Sequence, residues 1–139
     1  MSEVEGYVLR IKNEKWVEQV FDMAIYYSNL NRRWSPGQTI LFIHNTQSGD
    51  AFVGYGIFSN AKQKRYLSEA ERIQCEQGGW KRAMEFKYVV RFEKSLLVKE
   101  TFLCKSKLRG RYLHGLKLNR EQVKAIVEKA DKLQPNQKS

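Results

Sequence analysis

The sequence predicts a small α+β protein, an antiparallel β-barrel flanked by an N-terminal and a C-terminal helix. Three observations predict it. Two β-rich runs, Gln38 to Asn45 and Ala51 to Phe58, are joined by a polar link containing Gly49, the pattern of an antiparallel hairpin. Met84, Phe86, Tyr88, Val90 and Phe92 recur at every second position, the period of a strand with one buried face. Helical apolar spacing occurs twice, once through Trp16, Val17, Val20, Phe21, Ala24 and Ile25, and again through Val123, Ile126, Val127, Ala130 and Leu133.

In chain order, Gly6 to Ile11 reads as a first strand. Asn13 is a suitable N-cap for a helix from about Glu14 to Tyr27, because its side-chain oxygen can accept a free amide of the first turn. Ser35-Pro36-Gly37-Gln38 is the turn into the hairpin, with Pro presetting φ and Gly accepting a positive φ. Gly54 and Gly56 lie two apart and clear a strip on one face of their strand, for tight packing or for a ligand. Ser68 and Glu71 match a capping box for a short helix over Glu69 to Glu76, which Gln77-Gly78-Gly79 ends. Trp80 opens the long strand. Ser95 to Cys104 reads as a further strand or as extended chain, and Leu116 to Leu118 as a short one. Asn119, with Gln122 in the reciprocal position, caps the last helix. Pro135 stops it, leaving a frayed tail over 134–139 on a single domain spanning 1–139.

Twenty-five Lys and Arg against fifteen Asp and Glu give a formal charge of +10 over 139 residues. A folded domain this basic points to a polyanion, most often nucleic acid. The cations concentrate in three places. Ser28 to Trp34 holds Asn29, Asn31, Arg32 and Arg33 ahead of Trp34. Guanidinium pairs with phosphate, Asn can read a base edge and indole can stack, although Trp34 would equally serve to plug a barrel end. Lys62, Lys64 and Arg65 form a basic turn. Lys105, Lys107, Arg109, Arg111 and His114 interleave with Tyr112, a mixture suited to a single strand whose phosphates meet cations and whose bases stack on the ring.

Other classes find little support. Cys75 and Cys104 lack metal or redox spacing, and neither His44 nor His114 has a ligand partner at chelating distance in sequence, so no disulfide, metal or cofactor is expected. No apolar run approaches the roughly 20 residues of a membrane helix, and the first residues do not resemble a secretory signal. A cytoplasmic monomer is the expectation.

Pro36-Gly37-Gln38-Thr39-Ile40-Leu41-Phe42-Ile43 with Val53-Gly54-Tyr55-Gly56-Ile57-Phe58 resembles the paired strands of the PUA-like superfamily. Trp80, the strand Met84 to Phe92 and the helix from Arg120 are similar to its EVE and YTH branches. The resemblance runs from about Tyr7 to Leu133 and implies a barrel that binds RNA or DNA, with RNA slightly favoured. It also implies a pocket for a modified or flipped base, placed by position at Ser28, Asn29, Asn31, Trp34 and Trp80, with Tyr55 or Tyr112 as a third wall. The recognition domain of a modification-dependent restriction system would look much the same.

The ASCH branch of that superfamily includes hydrolases of modified nucleosides, resembling a site of Lys, Thr and Glu, and Lys99, Glu100 and Thr101 stand together here. On a strand, neighbours face opposite ways, so Lys99 and Thr101 would share a pocket only without Glu100. No nucleophile–base pair or phosphate-cradling glycine loop is present either, and a binding module is expected rather than an enzyme. A protein–protein adaptor, the third class, would show no salt-sensitive binding of nucleic acid.

Overall fold

A computed structural model describes residues 5–28, 34–63, 66–105 and 113–134. Among these residues the fold is α+β, with six strands in one mostly antiparallel sheet and three α-helices. The strands are β1 (Gly6–Arg10), β2 (Ile25–Ser28), β3 (Thr39–Thr46), β4 (Gly49–Gln63), β5 (Arg82–Leu97) and β6 (Lys117–Leu118), and the helices are α1 (Glu14–Met23), α2 (Glu69–Gln77) and α3 (Arg120–Leu133). The sheet order is β2-β5-β4-β3-β1-β6.

The helices begin where local chemistry starts them. The Asn13 side chain accepts from the Lys15 amide at 2.9 Å. Ser68–Glu71 and Asn119–Gln122 form reciprocal capping boxes, each satisfying two amides that a helix start leaves open. The Ser35–Gln38 turn closes through Gln38 N–H to Ser35 O at 3.1 Å, with Gly37 at φ 93°.

The first helix is shorter than its periodicity predicts. It ends at Met23, Ala24 turns to φ 57° as the C-cap, and Ile25–Ser28 becomes an edge strand antiparallel to β5. The residues expected to extend the helical stripe instead supply β-branched and aromatic side chains to a strand. A second correction concerns β1, which pairs parallel to β3, Tyr7 opposite Ile40 and Leu9 opposite Phe42, so the sheet is not wholly antiparallel. The third is Ser95 to Cys104. β5 runs on to Leu97, and the chain then winds into two 3-10 turns, Val98–Glu100 and Phe102–Lys105, rather than a further strand.

Both faces of the central strands are covered, which is why β3 reads Ile-Leu-Phe-Ile without polar alternation. Ile40 and Phe42 pack with Val17 and Val20 of α1, while Leu41 and Ile43 pack with Val123 and Ile126 of α3. The glycine strip of β4 faces α1. A Cβ on Gly54 would stand 2.3 Å from the Val90 carbonyl oxygen and 2.5 Å from the Phe21 ring, and one on Gly56 would stand 2.8 Å from the Phe86 ring. Aromatic rings occupy the strip, so packing accounts for both glycines. Gln134 is tied down: its Oε1 accepts from Lys94 N, and its Nε2 donates to the carbonyls of Lys94 and Ala130. The rest of the expected tail lies outside the described residues.

Candidate functional site

Two recesses lie at opposite ends of the β3–β4 hairpin. The eight residues of β3 separate them by about 25 Å at the usual strand rise.

The recess at the Pro36 end holds about 480 Å³ and is lined by Trp34, Ser35, Pro36, Phe58, Ser59, Asn60, Ala61 and Arg82. Arg82 is the β-partner of Ser28, so this is the end of the sheet at which β2 stops. Trp34 forms the floor and is only 8% exposed. Its ring centroid lies 5.7 Å from that of Tyr7 and 5.4 Å, edge-on, from that of Phe58. Its indole N–H is buried and finds no acceptor among the described residues, an arrangement that costs free energy in a native interior.

The other residues expected in a base pocket are dispersed. Trp80 lies in a separate cluster, edge-on to Trp16 at 4.5 Å and stacked on Tyr27 at 5.9 Å, beneath α2. Tyr55 is on the opposite face of the sheet from Trp34, against Phe92. Ser28 is buried. Lys62 pairs with Glu85 at 3.3 Å. Asn29, Asn31, Arg32, Arg33, Lys64 and Arg65 lie outside the described residues.

The recess at the hairpin tip is a cleft of about 370 Å³. Arg10 of β1, Asn45 of β3 and Asp50 of β4 come together in its wall, with Ser48 from the turn and Gly49 from the start of β4. Val98, Lys99, Leu103 and Cys104 of the 3-10 turns, and Leu113, complete it. Arg10 grips Asp50 with two hydrogen bonds, Nε to Oδ2 at 3.1 Å and Nη2 to Oδ1 at 3.2 Å. The Asn45 amide donates to the same Oδ1 at 2.9 Å. Burial acts to raise the Asp50 carboxyl, but hydrogen bonds from Arg10 and Asn45 and the positive charges of Arg10 and His44 outweigh it and hold it below its ordinary 3.8. The two histidines brace the same corner. His114 Nδ1 accepts from the Arg10 amide at 3.0 Å, and His44 Nδ1 lies 2.8 Å from Ile11 O, where it donates.

Arg10, Asn45 and Asp50 escaped sequence reasoning. Asn45 and Asp50 are register partners of the hairpin and could have been paired from it, but bringing Arg10 beside them requires the parallel β1–β3 alignment. Of the expected phosphate contacts at this end, only His114 is described in full. Lys107, Arg109, Arg111, Tyr112 and the Lys105 side chain lie outside the described residues, in the segment between the cleft-lining Cys104 and Leu113.

The Lys99-Glu100-Thr101 run is not on a strand, so the alternation expected for it does not apply. Lys99 lines the cleft and is exposed. Thr101 is buried, its hydroxyl donating to Val98 O at 2.7 Å and accepting from Leu103 N at 3.1 Å. Among the described residues no group of three His, Cys, Asp or Glu could hold a metal, and no helix is long and apolar enough to cross a membrane. Cys75 is buried and Cys104 exposed, and neither is in a disulfide.

The fold is similar to that of the ASCH protein from Zymomonas mobilis, with a TM-score of 0.64 at 9% identity over 89% of this chain and 94% of that one. A serine-to-alanine mutant of that protein aligns at TM-score 0.64 and 10% identity, over 92% of this chain and 98% of the other. A tyrosine-to-phenylalanine mutant aligns at 0.59 and 8%, over 89% and 97%. No protein-family model and no curated protein matches the sequence. At these identities the likeness is one of fold alone.

Proposed function

We propose that the protein is a nucleic-acid-binding module that takes an unpaired base in the recess beside Trp34 and follows the phosphate backbone with its basic segments. One observation carries the reading: an indole, an amide and a guanidinium, from Trp34, Asn60 and Arg82, line one recess in a chain of formal charge +10. An indole edge or face supports a base, stacking being worth about 1–3 kcal/mol per base. An amide can read a base edge, and a guanidinium pairs with phosphate. The ASCH-like fold supports the reading, since its superfamily resembles a set of nucleic-acid binders. In this proposal Ser28, Asn29, Asn31 and Trp34 stay as base-pocket candidates, whereas Tyr55, on the opposite face of the sheet, and Trp80, in the cluster beneath α2, fall away from the recess. Arg32, Arg33, Lys62, Lys64, Arg65, Lys105, Lys107, Arg109, Arg111, Tyr112 and His114 stay as backbone contacts.

RNA is favoured over DNA, because Ser59 and Asn60 at the rim can engage a 2′-hydroxyl. Recognition of a modified base, in the manner of EVE and YTH domains or of a restriction system, is the finer form of the same reading. The nucleoside-hydrolase alternative has less support, because the Thr101 hydroxyl is committed to Val98 and Leu103 within the core.

The test is fluorescence anisotropy with single-stranded RNA and DNA, each with and without a methylated base, over a salt series. Arg82→Ala should weaken binding about tenfold. Neutralising Arg109 and Arg111 together should flatten the slope of log affinity against log salt by about 0.7 per lost single-strand contact. Absence of binding at low salt by the parent protein would end the proposal.

A further inference from the structure

The cleft at the hairpin tip lies about 25 Å along the strands from the recess just proposed for a base, and its chemistry is different. We infer that it is a separate binding site for a nucleoside phosphate, with Lys99 and the outer nitrogen of Arg10 on the phosphate, Asn45 on the edge of the base, and Asp50 as the residue that positions both.

The size comes first. At about 370 Å³ the cleft falls in the range of small-molecule sites, about 300–1,000 Å³. Its floor is apolar. Val98, Leu103 and Leu113 are buried members of the core cluster under α3, and they offer a flat ring a surface from which water is displaced.

The charge comes next. Arg10 and Lys99 carry two positive charges into the lining and Asp50 one negative charge, so the cleft keeps a net positive balance that suits an anion. Asp50 occupies Nε and Nη2 of Arg10, and no described residue accepts from Nη1. The guanidinium is therefore fixed in orientation with one end unspent. Lys99 is exposed at the mouth, on a turn braced from behind by Lys129, whose ammonium donates to the Glu100 carbonyl.

The amide supplies the third element. Asn45 spends one N–H on Asp50, which leaves an N–H and the carbonyl oxygen of the same amide for a ligand. An amide that offers both a donor and an acceptor can pair with a nucleobase edge. Since Arg10 and Asn45 hang from the same carboxylate oxygen, the cation and the amide are held at a fixed separation. That is the preorganisation a ligand with two unlike ends requires. An inorganic anion would use only the cations, and an apolar ligand would leave all three polar groups unmatched.

This inference does not depend on a base being held in the recess at the other end of the sheet, and the two fail separately, one through Arg82 and the other through Lys99 and Asn45. The experiment titrates the protein with the four ribonucleoside 5′-monophosphates, the four nucleosides and inorganic phosphate by calorimetry. At least one monophosphate should bind with a Kd below about 1 mM. Its nucleoside and inorganic phosphate should each bind at least about tenfold more weakly, each having lost one set of charge-assisted or paired hydrogen bonds. Lys99→Ala, an exposed position, should lower monophosphate affinity about tenfold with the melting temperature unchanged. Asn45→Asp should alter the ranking of the four bases. A 5′-phosphorylated oligonucleotide that competes with the monophosphate, where its unphosphorylated twin does not, would identify a chain terminus as the source of the ligand, and failure of both to compete would identify a free nucleotide. Inorganic phosphate binding as tightly as any nucleotide would overturn the inference. So would the absence of monophosphate binding, or binding indifferent to both substitutions.

Discussion

Replacing Asp50 by alanine removes the acceptor that Arg10 and Asn45 share, and the structure sets the size of the loss. The two charged side chains are 16% and 13% exposed. They fall between a surface ion pair, worth about 0–1 kcal/mol, and a fully buried one, whose severance costs about 3–5 kcal/mol. The substitution leaves the guanidinium without its counter-charge in a wall shared with Val98 and Leu113. A loss of about 2 kcal/mol at neutral pH follows from that intermediate burial. Pairing the change with Arg10→Met removes the orphaned charge as well, so the double mutant should be less destabilised than the two single mutants summed, by about 1 kcal/mol. The pH dependence has a definite sign. The folded carboxyl is held below its ordinary 3.8, so its contribution is fully present above the unfolded pKa and is lost as pH falls through the folded one. Urea denaturation at a series of pH values therefore should show the gap between parent and Asp50→Ala constant from neutrality down to about pH 5, and narrowing below about pH 4. Additive single mutants, or a gap that stays constant into strong acid, would refute the reasoning.

Two further outcomes follow from the packing of β4 and Trp34. Gly54→Ala should cost about 3 kcal/mol or more in chemical denaturation, because the Val90 carbonyl that its Cβ meets is backbone in the β4–β5 ladder. Gly56→Ala should cost only about 1–2 kcal/mol, since the Phe86 ring can turn aside; equal costs would mean that the strip is looser than described. Trp34→Ala should destabilise by about 3–5 kcal/mol through the cavity left between Tyr7 and Phe58. Trp34→Phe should keep most of that stability while weakening oligonucleotide binding severalfold, and an undiminished affinity would assign the indole to packing alone.

What the sequence made legible was local. Asn13, Ser68 and Asn119 cap the helices that were read from them, because a cap needs only the next three residues. The β3–β4 hairpin was equally readable, its turn and its apolar run lying within one stretch. The periodicity of α1 misled past Met23 because it cannot separate a helical stripe from a short strand buried on both sides. Ile25 and Tyr27 pack toward α2, while Tyr26 packs toward the α1 cluster. The 3-10 turns after Leu97 were hidden for a related reason, since Leu96, Val98 and Leu103 are apolar for the core under α3 whichever backbone carries them.

The cleft was illegible for a stronger reason, which also governs how basic residues should be read in such a chain. A run such as Lys105 to His114 draws attention because its charges are adjacent in sequence, whereas Arg10 stands alone between Leu9 and Ile11 and Asp50 stands alone after a turn. The parallel alignment of β1 on β3 sets Arg10 opposite Ile43, and the hairpin register sets Asn45 opposite Asp50, so three strands deliver one polar group each to a single corner. Nothing in sequence spacing encodes that meeting. It becomes available only once the chain has brought together residues 40 positions apart. Clustered charge raises the potential around a protein and its rate of encounter with polyanions. Isolated charges delivered by a sheet and locked by a shared carboxylate give fixed geometry, and fixed geometry is what selects one ligand from others of the same charge.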